Sequence, residues 1–534
     1  MMLSNMSIKS NRIKYISVYI RYLNNNHYSN NDLSKFEWNI NDNNIESSLT
    51  PPSSWYTDPL FYHEIEKNIT FRRWIYGGRL DLLKNKGDYI AGTIINEPYI
   101  IVRNNNNTVM NDSFNNKLQD ININKKVIVD DSSDNKNNIK CSGYDDKISK
   151  DDNNNNNQLD GLNAFFNVCR HHAAQIHDDG NGSIVGDRMI CPYHGWEYTL
   201  HGRLAKATYM KGCKNFKAKD NGLIPIEMDT LGPWTFLNLN GQDNRDNISS
   251  SSSSSSSNDL NNNNNDVSGD TSASNDINNN SNGSNYNDNM NKTMKSKLFH
   301  DQPDMKICHQ LLKQTNYDQL IHIKTKKYHL KCNWKVFIDN YLDGGYHVPI
   351  AHKELSNLIN MKTYERIKYD NFFLQQVNSN TSSSSASVAS SRLQSSPSSS
   401  SLISSKGEEE DDDDSSNKAL YIFHYPNLCI NRYGKWMDTN IVWPLNVNEC
   451  IVEFDWYVDN DMINDTNYIN DCLLESEKVQ LEDIWLCERV QKGLESSAYH
   501  YGGRYSPMME TGEFMFHNLL KNDLSTAIQK KTKK

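Results

Sequence analysis

The chain has 534 residues, more than one hydrophobic core usually organises, yet only 36% are hydrophobic, so two cores must be sought after long polar tracts are set aside. The net charge of −10, from 56 basic and 66 acidic residues, comes with no clustered basic run of the kind a nucleic-acid binder needs. Ten cysteines scattered without a secretory leader point to reduced thiols with room for a metal site rather than to a disulfide framework. The absence of any run of ~18 apolar residues argues against a membrane span.

Residues 1–31 contain no Asp or Glu, while Lys9, Arg12, Lys14 and Arg21 alternate with Ile, Tyr and Val. Such a segment reads either as an organelle transit peptide, with mitochondrial import, or as a disordered polar tail on a cytoplasmic protein. Low-complexity blocks follow at about 104–158, 243–293 and 378–417, the last carrying the acidic run GEEEDDDD. They bury too little apolar surface to offset chain entropy and are expected to be disordered insertions at loops. The predicted organisation is therefore a disordered or transit segment at 1–50, a first domain at 51–242, a linker at 243–293 and a second domain at 294–534.

In chain order, GDYIAGTIINEPYIIVR (87–103) predicts two strands about a turn at Asn96, Glu97 and Pro98, and GPWTFLNL (232–239) predicts another. Beyond 294 the pattern mixes types. Residues 419–434 and 449–458 read as strands, and 473–494 as a helix, with Leu474, Val479, Leu481, Ile484, Trp485, Leu486, Val490 and Leu494 near helical spacing.

Two short loops stand out. Cys169-x-His171 and Cys191-x-x-His194 each supply one thiol and one imidazole. Two Cys and two His can hold tetrahedral zinc or a [2Fe–2S] cluster, although zinc fingers usually draw the Cys pair and the His pair from separate elements. Farther on, in NWKVFIDNYLDGGYHVPIAH, His347 and His352 lie five apart with Asp339 and Asp343 upstream, which suits a two-His, one-carboxylate iron site with open positions.

C-x-H with C-P-Y-H-G-W, followed by Gly195, Trp196 and YTLHGRLAKA, resembles the Rieske motif. DNYLDGGYHVPIAHK resembles the mononuclear-iron motif of Rieske non-heme iron oxygenase alpha subunits, in their choline monooxygenase-like branch. The resemblance covers about 55–103, 159–241 and 295–520. It implies an α+β fold in which a β-rich Rieske [2Fe–2S] domain precedes a helix-grip (START-like) catalytic domain. It further implies that Cys169 and Cys191 hold one cluster iron, that His171 and His194 hold the other, and that His172 and His177 are bystanders. The mononuclear Fe(II) would take His347, His352 and, far along the chain, Asp483, with Glu482 as the neighbouring candidate.

Many family members place an acidic residue three positions before the first iron histidine, bridging to a cluster histidine of the next subunit. Here that position is Gly344, which leaves Asp339, Asn340 and Asp343 as candidates for the bridge. The implied activity is hydroxylation of choline to betaine aldehyde hydrate in glycine betaine synthesis, using O₂ and a separate ferredoxin or flavin reductase, within a homotrimer. No G-x-G-x-x-G after a strand and no plant-type C-x₄-C-x₂-C run supplies that reductase in this chain. Phe423, Tyr425, Tyr433 and Trp436 are the expected cation-π cage for a trimethylammonium head. The rival readings are carnitine, a betaine or an aromatic ring as substrate, a catalytically inactive Rieske electron-transfer protein, and a zinc-stabilised interaction protein.

Overall fold

The computed structural model describes residues 33–38, 44–105, 161–242, 296–378, 418–499 and 502–532. The acid-free N-terminus to residue 31, nearly all of the three inner low-complexity blocks and the acidic run lie outside them. Among the described residues no helix is long and apolar enough to cross a membrane.

Contacts divide the chain into two units, Arg73–Gln319 and a second built from Met1–Arg72 with Leu320–Lys534. The first unit is all short antiparallel sheet until its last residues. Its strands are β1 (Trp74–Arg79), β2 (Asp88–Ile94), β3 (Glu97–Arg103), β4 (Leu162–Phe166), β5 (Gly180–Ser183), β6 (Arg188–Ile190), β7 (Glu197–Thr199), β8 (Leu204–Lys206), β9 (Glu227–Leu231) and β10 (Trp234–Asn238). They form sheets in the orders β4-β3-β2-β5, β6-β7-β8 and β1-β10-β9. The predicted pair at 87–103 is the hairpin β2–β3, with Ile95 at φ 57° in its turn, one residue earlier than expected. Ile100, Val102, Phe165 and Met189 build a core that also encloses Cys169, Cys191, Trp196 and Tyr198.

Helices α1 (Lys297–Asp301) and α2 (Met305–Lys313) were expected in the second domain but complete the first unit. Asp229 on β9 explains the capture: its carboxylate accepts the Ser296 hydroxyl at 2.8 Å and the Leu298 N–H at 2.9 Å. Tyr317, fully buried, then packs its ring 5.4 Å from Trp234.

The second unit is a seven-stranded antiparallel sheet ordered β11-β17-β16-β15-β14-β13-β12. Its strands are β11 (Ile321–Leu330), β12 (Glu365–Lys368), β13 (Phe372–Asn378), β14 (Lys418–His424), β15 (Leu428–Tyr433), β16 (Trp436–Asn446) and β17 (Glu449–Val458). The apolar run at 419–434 is thus two strands of a hairpin. Helices α3 (Trp334–Leu342), α4 (Val348–Ala351), α5 (Lys353–Leu358), α6 (Thr466–Leu494) and α7 (Thr511–Thr532) complete the unit. The sheet grips α6, as the Trp456 indole donating to the Ser476 hydroxyl at 3.0 Å illustrates.

Helix α6 lies with an unexpected face inward. Its buried residues are Tyr468, Cys472, Ser476, Gln480, Cys487, Gln491 and Leu494, whereas Leu474, Leu481, Trp485 and Val490 are each more than half exposed. Tertiary partners for the polar groups decide this; the Gln491 amide oxygen, for example, accepts the N–H of Asn333 at 2.9 Å.

Residues 51–72, expected with the first domain, belong here, and so do parts of the segment expected to be disordered. Phe36 is fully buried, Trp38 packs edge-on to Trp55 at 5.4 Å, and Thr50 donates its N–H to Gly503. The anchor is a buried ion pair. Glu66 accepts from the Lys335 ammonium and from the Trp334 indole at 2.7 Å, and both charged side chains are fully buried. Removing one partner of such a pair strands the other charge, so Glu66→Ala is expected to destabilise this unit by about 3–5 kcal/mol, read by chemical denaturation.

Candidate metal centres and the cavity beside one of them

The two Cys-His loops are built alike. In one, the Cys169 carbonyl accepts the N–H of Ala173 at 3.0 Å and the Cys169 N–H donates to Ala174 at 2.8 Å. In the other, the Cys191 carbonyl accepts from Gly195 at 3.0 Å and the Cys191 N–H donates to Trp196 at 2.8 Å. The fourth residue after each cysteine has positive φ, 58° at Ala173 and 68° at Gly195, which turns the chain sharply enough to aim Cys and His the same way.

Both thiols are 2% exposed. The Cys169 sulfur lies 3.2 Å from the Tyr198 hydroxyl. Burial pushes the Cys191 thiol up, while backbone N–H groups of Tyr193 and His194 pull it down. The His171 ring stacks on Trp196 at 4.7 Å and lies 4.8 Å from His194, and its buried Nδ1 has no hydrogen-bond partner. Two buried thiols beside an orphaned imidazole nitrogen suit a cluster with cysteines on one iron and histidines on the other.

His172 is nearer to this set than expected of a bystander. Its ring is 4.1 Å from His171, and the ligand nitrogens of His171, His172 and His194 gather within 4.8 Å. His177 instead packs on Tyr89 at 4.7 Å.

The second constellation also assembles. Ligand atoms of His347, His352 and Asp483 lie within 4.8 Å of one another, the only other such group of three among the described residues. His347 Nε2 is 3.1 Å from His352 Nε2, and Asp483 Oδ1 is 3.0 Å from His352 Nε2 and 3.5 Å from His347 Nε2. The outer nitrogens meet carboxylates. His347 Nδ1 faces Asp343 at 2.5 Å, and His352 Nδ1 faces Glu482 at 2.7 Å. A carboxylate on the far nitrogen fixes ring orientation and makes the inner nitrogen a better metal donor. Glu482, read as a rival to Asp483, thus reaches the opposite edge of the same imidazole.

The three bridge candidates separate. Asp343 accepts the N–H groups of Gly345 at 2.9 Å, Tyr346 at 3.1 Å and His347 at 2.9 Å as well as facing His347 Nδ1. Asn340 donates to Asp483 Oδ1 at 2.8 Å. Asp339 points elsewhere, to the Tyr56 hydroxyl at 2.7 Å and His517 at 3.0 Å. Gly344 itself has φ 71°, and a Cβ there would stand 2.1 Å from the Met509 carbonyl oxygen, so no acidic side chain fits at that position.

The electrostatics of the triad favour a cation. Burial works against a charged His347, yet hydrogen bonds with Asp343 and Asp483 outweigh it and raise the imidazole to about 10. Burial likewise opposes a charged Asp483, but the two histidines hold it down at about 2. Two nitrogens and an oxygen converging where positive charge is favoured fit a divalent iron.

The triad opens into a cavity of about 650 Å³. Its helix wall carries Asn340, Tyr341, His347, His352 and Asp483, and its sheet wall carries Tyr421, Asn431, Tyr433, Asp438, Asn440 and Phe454. Of the four expected cage residues only Tyr433 is here. Phe423 packs 5.6 Å from Phe516, Tyr425 donates its hydroxyl to Asp523 at 2.5 Å, and Trp436 lies 6.4 Å from Tyr468. All three are core residues, 2% exposed or less. Alternation does not separate them, since Tyr421 and Phe423 share a face of β14; position along the strand does, for Tyr421 reaches the cavity and Phe423 packs on Phe516. Tyr341, Tyr421 and Asp438 were not anticipated, because only the packing of α3 on the sheet and the cross-strand register bring them to one cavity.

Comparison with known proteins agrees with this architecture. Residues 126–217 match the Rieske [2Fe-2S] domain, and 317–525 match the ring hydroxylating alpha subunit (catalytic domain). The chain is 30% identical to the chloroplastic choline monooxygenase of Arabidopsis thaliana, over 90% of this chain and 84% of the relative. The chain belongs to the Rieske non-heme iron oxygenases, in the choline monooxygenase-like branch. It is an iron monooxygenase that uses a [2Fe–2S] Rieske cluster and a mononuclear non-heme iron.

More distant members share the fold. The carnitine monooxygenase oxygenase subunit of Escherichia coli (strain K12) is 21% identical over 89% of this chain and 94% of its own length. The crystal structure of a quaternary ammonium Rieske monooxygenase in complex with L-carnitine superposes with a TM-score of 0.57 at 16% identity, covering 91% of this oxygenase and 99% of that chain. Naphthalene 1,2-dioxygenase with bound indole gives 0.53 at 14% identity, covering 91% and 96%.

In this oxygenase Asp483→Ala is expected to abolish mononuclear iron binding while the cluster's visible absorption persists. Glu482→Gln should weaken iron affinity by roughly 10–100-fold. Metal analysis of the purified variants checks both. Tyr198→Phe, which removes the hydroxyl beside the Cys169 sulfur, is expected to make the cluster's reduction potential more negative in a spectroelectrochemical titration.

Proposed function

We propose that this oxygenase hydroxylates choline at its alcohol carbon, giving betaine aldehyde hydrate for glycine betaine synthesis. The overall conversion takes up O₂, two electrons and two protons; one oxygen atom enters the new C–OH bond and the other leaves as water. When bound, the two iron centres supply electron relay and oxygen activation. His347, His352 and Asp483 are the proposed ligands of the mononuclear iron, Cys169 and Cys191 of one cluster iron, and His171 and His194 of the other.

The observation that carries this reading is the cavity itself: three converging ligand atoms on one wall and the aromatic rings of Tyr421, Tyr433 and Phe454 on the other. Aromatic faces attract a quaternary ammonium, by up to about 2 kcal/mol when desolvated. Asn340 keeps Asp483 in register, and Asp343 and Glu482 keep the two imidazoles from rotating. Asp343, in contact with His347, is the proposed electron bridge toward a cluster histidine of a neighbouring subunit in a homotrimer, in place of Asp339. The exposed apolar side of α6 supports such assembly, and one structure sharing this fold is described as revealing inter-subunit electron transfer. A ferredoxin or flavin reductase would deliver the electrons.

The test is oxygen uptake coupled to product analysis with a surrogate reductase. Choline is expected to yield betaine aldehyde in step with oxygen consumed, while carnitine and glycine betaine give little. Product formation from carnitine or an aromatic ring, and none from choline, would overturn the assignment.

A further inference from the structure

The sheet wall of the cavity contains a carboxylate. Asp438, on β16, is 1% exposed and lines the same space as the triad. Its Oδ2 accepts from Asn431 Nδ2 at 2.7 Å and Asn440 Nδ2 at 2.9 Å, and its Oδ1 accepts the hydroxyl of Tyr433. Asn431 is held in turn, its Oδ1 accepting the Tyr341 hydroxyl at 2.8 Å and its amide also donating to Asn440 at 3.0 Å. The register pairs Asn431 with Asp438 and Cys429 with Asn440, so these groups share one face of the sheet.

The chemistry of this shell is specific. Amides and phenols solvate a carboxylate in place of water, and being neutral they add no charge of their own. A quaternary ammonium has no N–H to donate, so it can be recognised only by charge and by the faces of aromatic rings. A carboxylate already hydrogen-bonded on both oxygens needs no donor from its ligand. Beside it stand the Tyr421 and Tyr433 rings, 6.3 Å apart and inclined at 46°.

We propose that Asp438 is the anionic pole that recognises the trimethylammonium head, assisted by the rings of Tyr421 and Tyr433, and that it selects a monocation with a neutral polar tail. This inference rests on the reading of the cavity as a quaternary-amine site. It also orients the substrate: the pole is on the sheet wall and the triad on the helix wall, so the ammonium points to the sheet and the alcohol carbon to His347, His352 and Asp483. A zwitterion carrying a carboxylate next to its ammonium brings a second negative charge toward Asp438 and is disfavoured.

Equilibrium binding to the holoprotein tests this without turnover. The probes are choline, its uncharged carbon isostere 3,3-dimethylbutan-1-ol, and glycine betaine, followed by calorimetry. Wild-type protein is expected to bind choline at least roughly tenfold more tightly than the isostere. In Asp438→Asn that preference should fall to about two- or threefold, with the isostere's affinity unchanged, and Asp438→Glu should restore part of it. A preference retained in Asp438→Asn overturns the inference. Equal affinity of the wild-type protein for choline and the isostere overturns it too, whether or not the variant folds. Failure of choline turnover refutes the reaction assigned above, whereas the charge preference is decided by binding alone.

Discussion

The catalytic unit depends on the way helix α6 turns its polar side inward. Ser476, Gln480, Asp483 and Gln491 face the protein, while Leu474, Leu481 and Trp485 face out. A helix would normally bury the apolar stripe, and burying Asp483 carries a desolvation penalty. The opposing contribution is a partner for the polar groups: Trp456 for Ser476, the Asn333 backbone for Gln491, and two imidazoles with Asn340 for Asp483. Rotating the helix by one residue, about 100°, would take Asp483 off the histidines and replace it with a neighbour.

The two centres solve the problem of aiming ligands differently. Around the cysteines, two similar turns are closed by their own backbone hydrogen bonds, so the geometry is largely local. The mononuclear site is assembled from two distant stretches: the continuous segment from α3 through its following turn and α4 to His352, and α6. It therefore relies on carboxylates that clamp each imidazole and on the buried Lys335–Glu66 pair that seats α3. Distant ligands need packing to hold them, and the packing here includes residues 51–72.

The parts of this arrangement that were legible in the sequence are those encoded over short distances. C-x-H, C-P-Y-H-G-W and H-x₄-H place candidate ligands within a few residues of one another, while the choice of a cluster over zinc, like Asp483, follows from family resemblance. The hairpin at 87–103 and the long helix were also readable from alternation and period. Features set by tertiary partners were not. The inward face of α6, the placement of residues 51–72 and 296–319, and the cage all depend on which side chains meet across sheets and helices. Aromatic content around 421–436 is real, but Phe423, Tyr425 and Trp436 serve the core, and the cavity recruits Tyr341 and Tyr421 instead.

Gly344 ties the iron loop to the far end of the chain. A side chain there would collide with Met509, Arg366 donates to the Gly344 carbonyl at 3.1 Å, and a side chain at Gly512 would crowd the Leu342 carbonyl at 2.8 Å. The loop between the first carboxylate and the first histidine is thus moulded against the segment leading into α7, while His517 on α7 holds Asp339 of α3. Because chains emerge from the ribosome N-terminus first, the stretch that moulds this loop is made well after the loop itself. The loop can be moulded only once the chain through Met509 and Gly512 exists, which places a complete iron site after the closing of the cysteine loops in the order of synthesis.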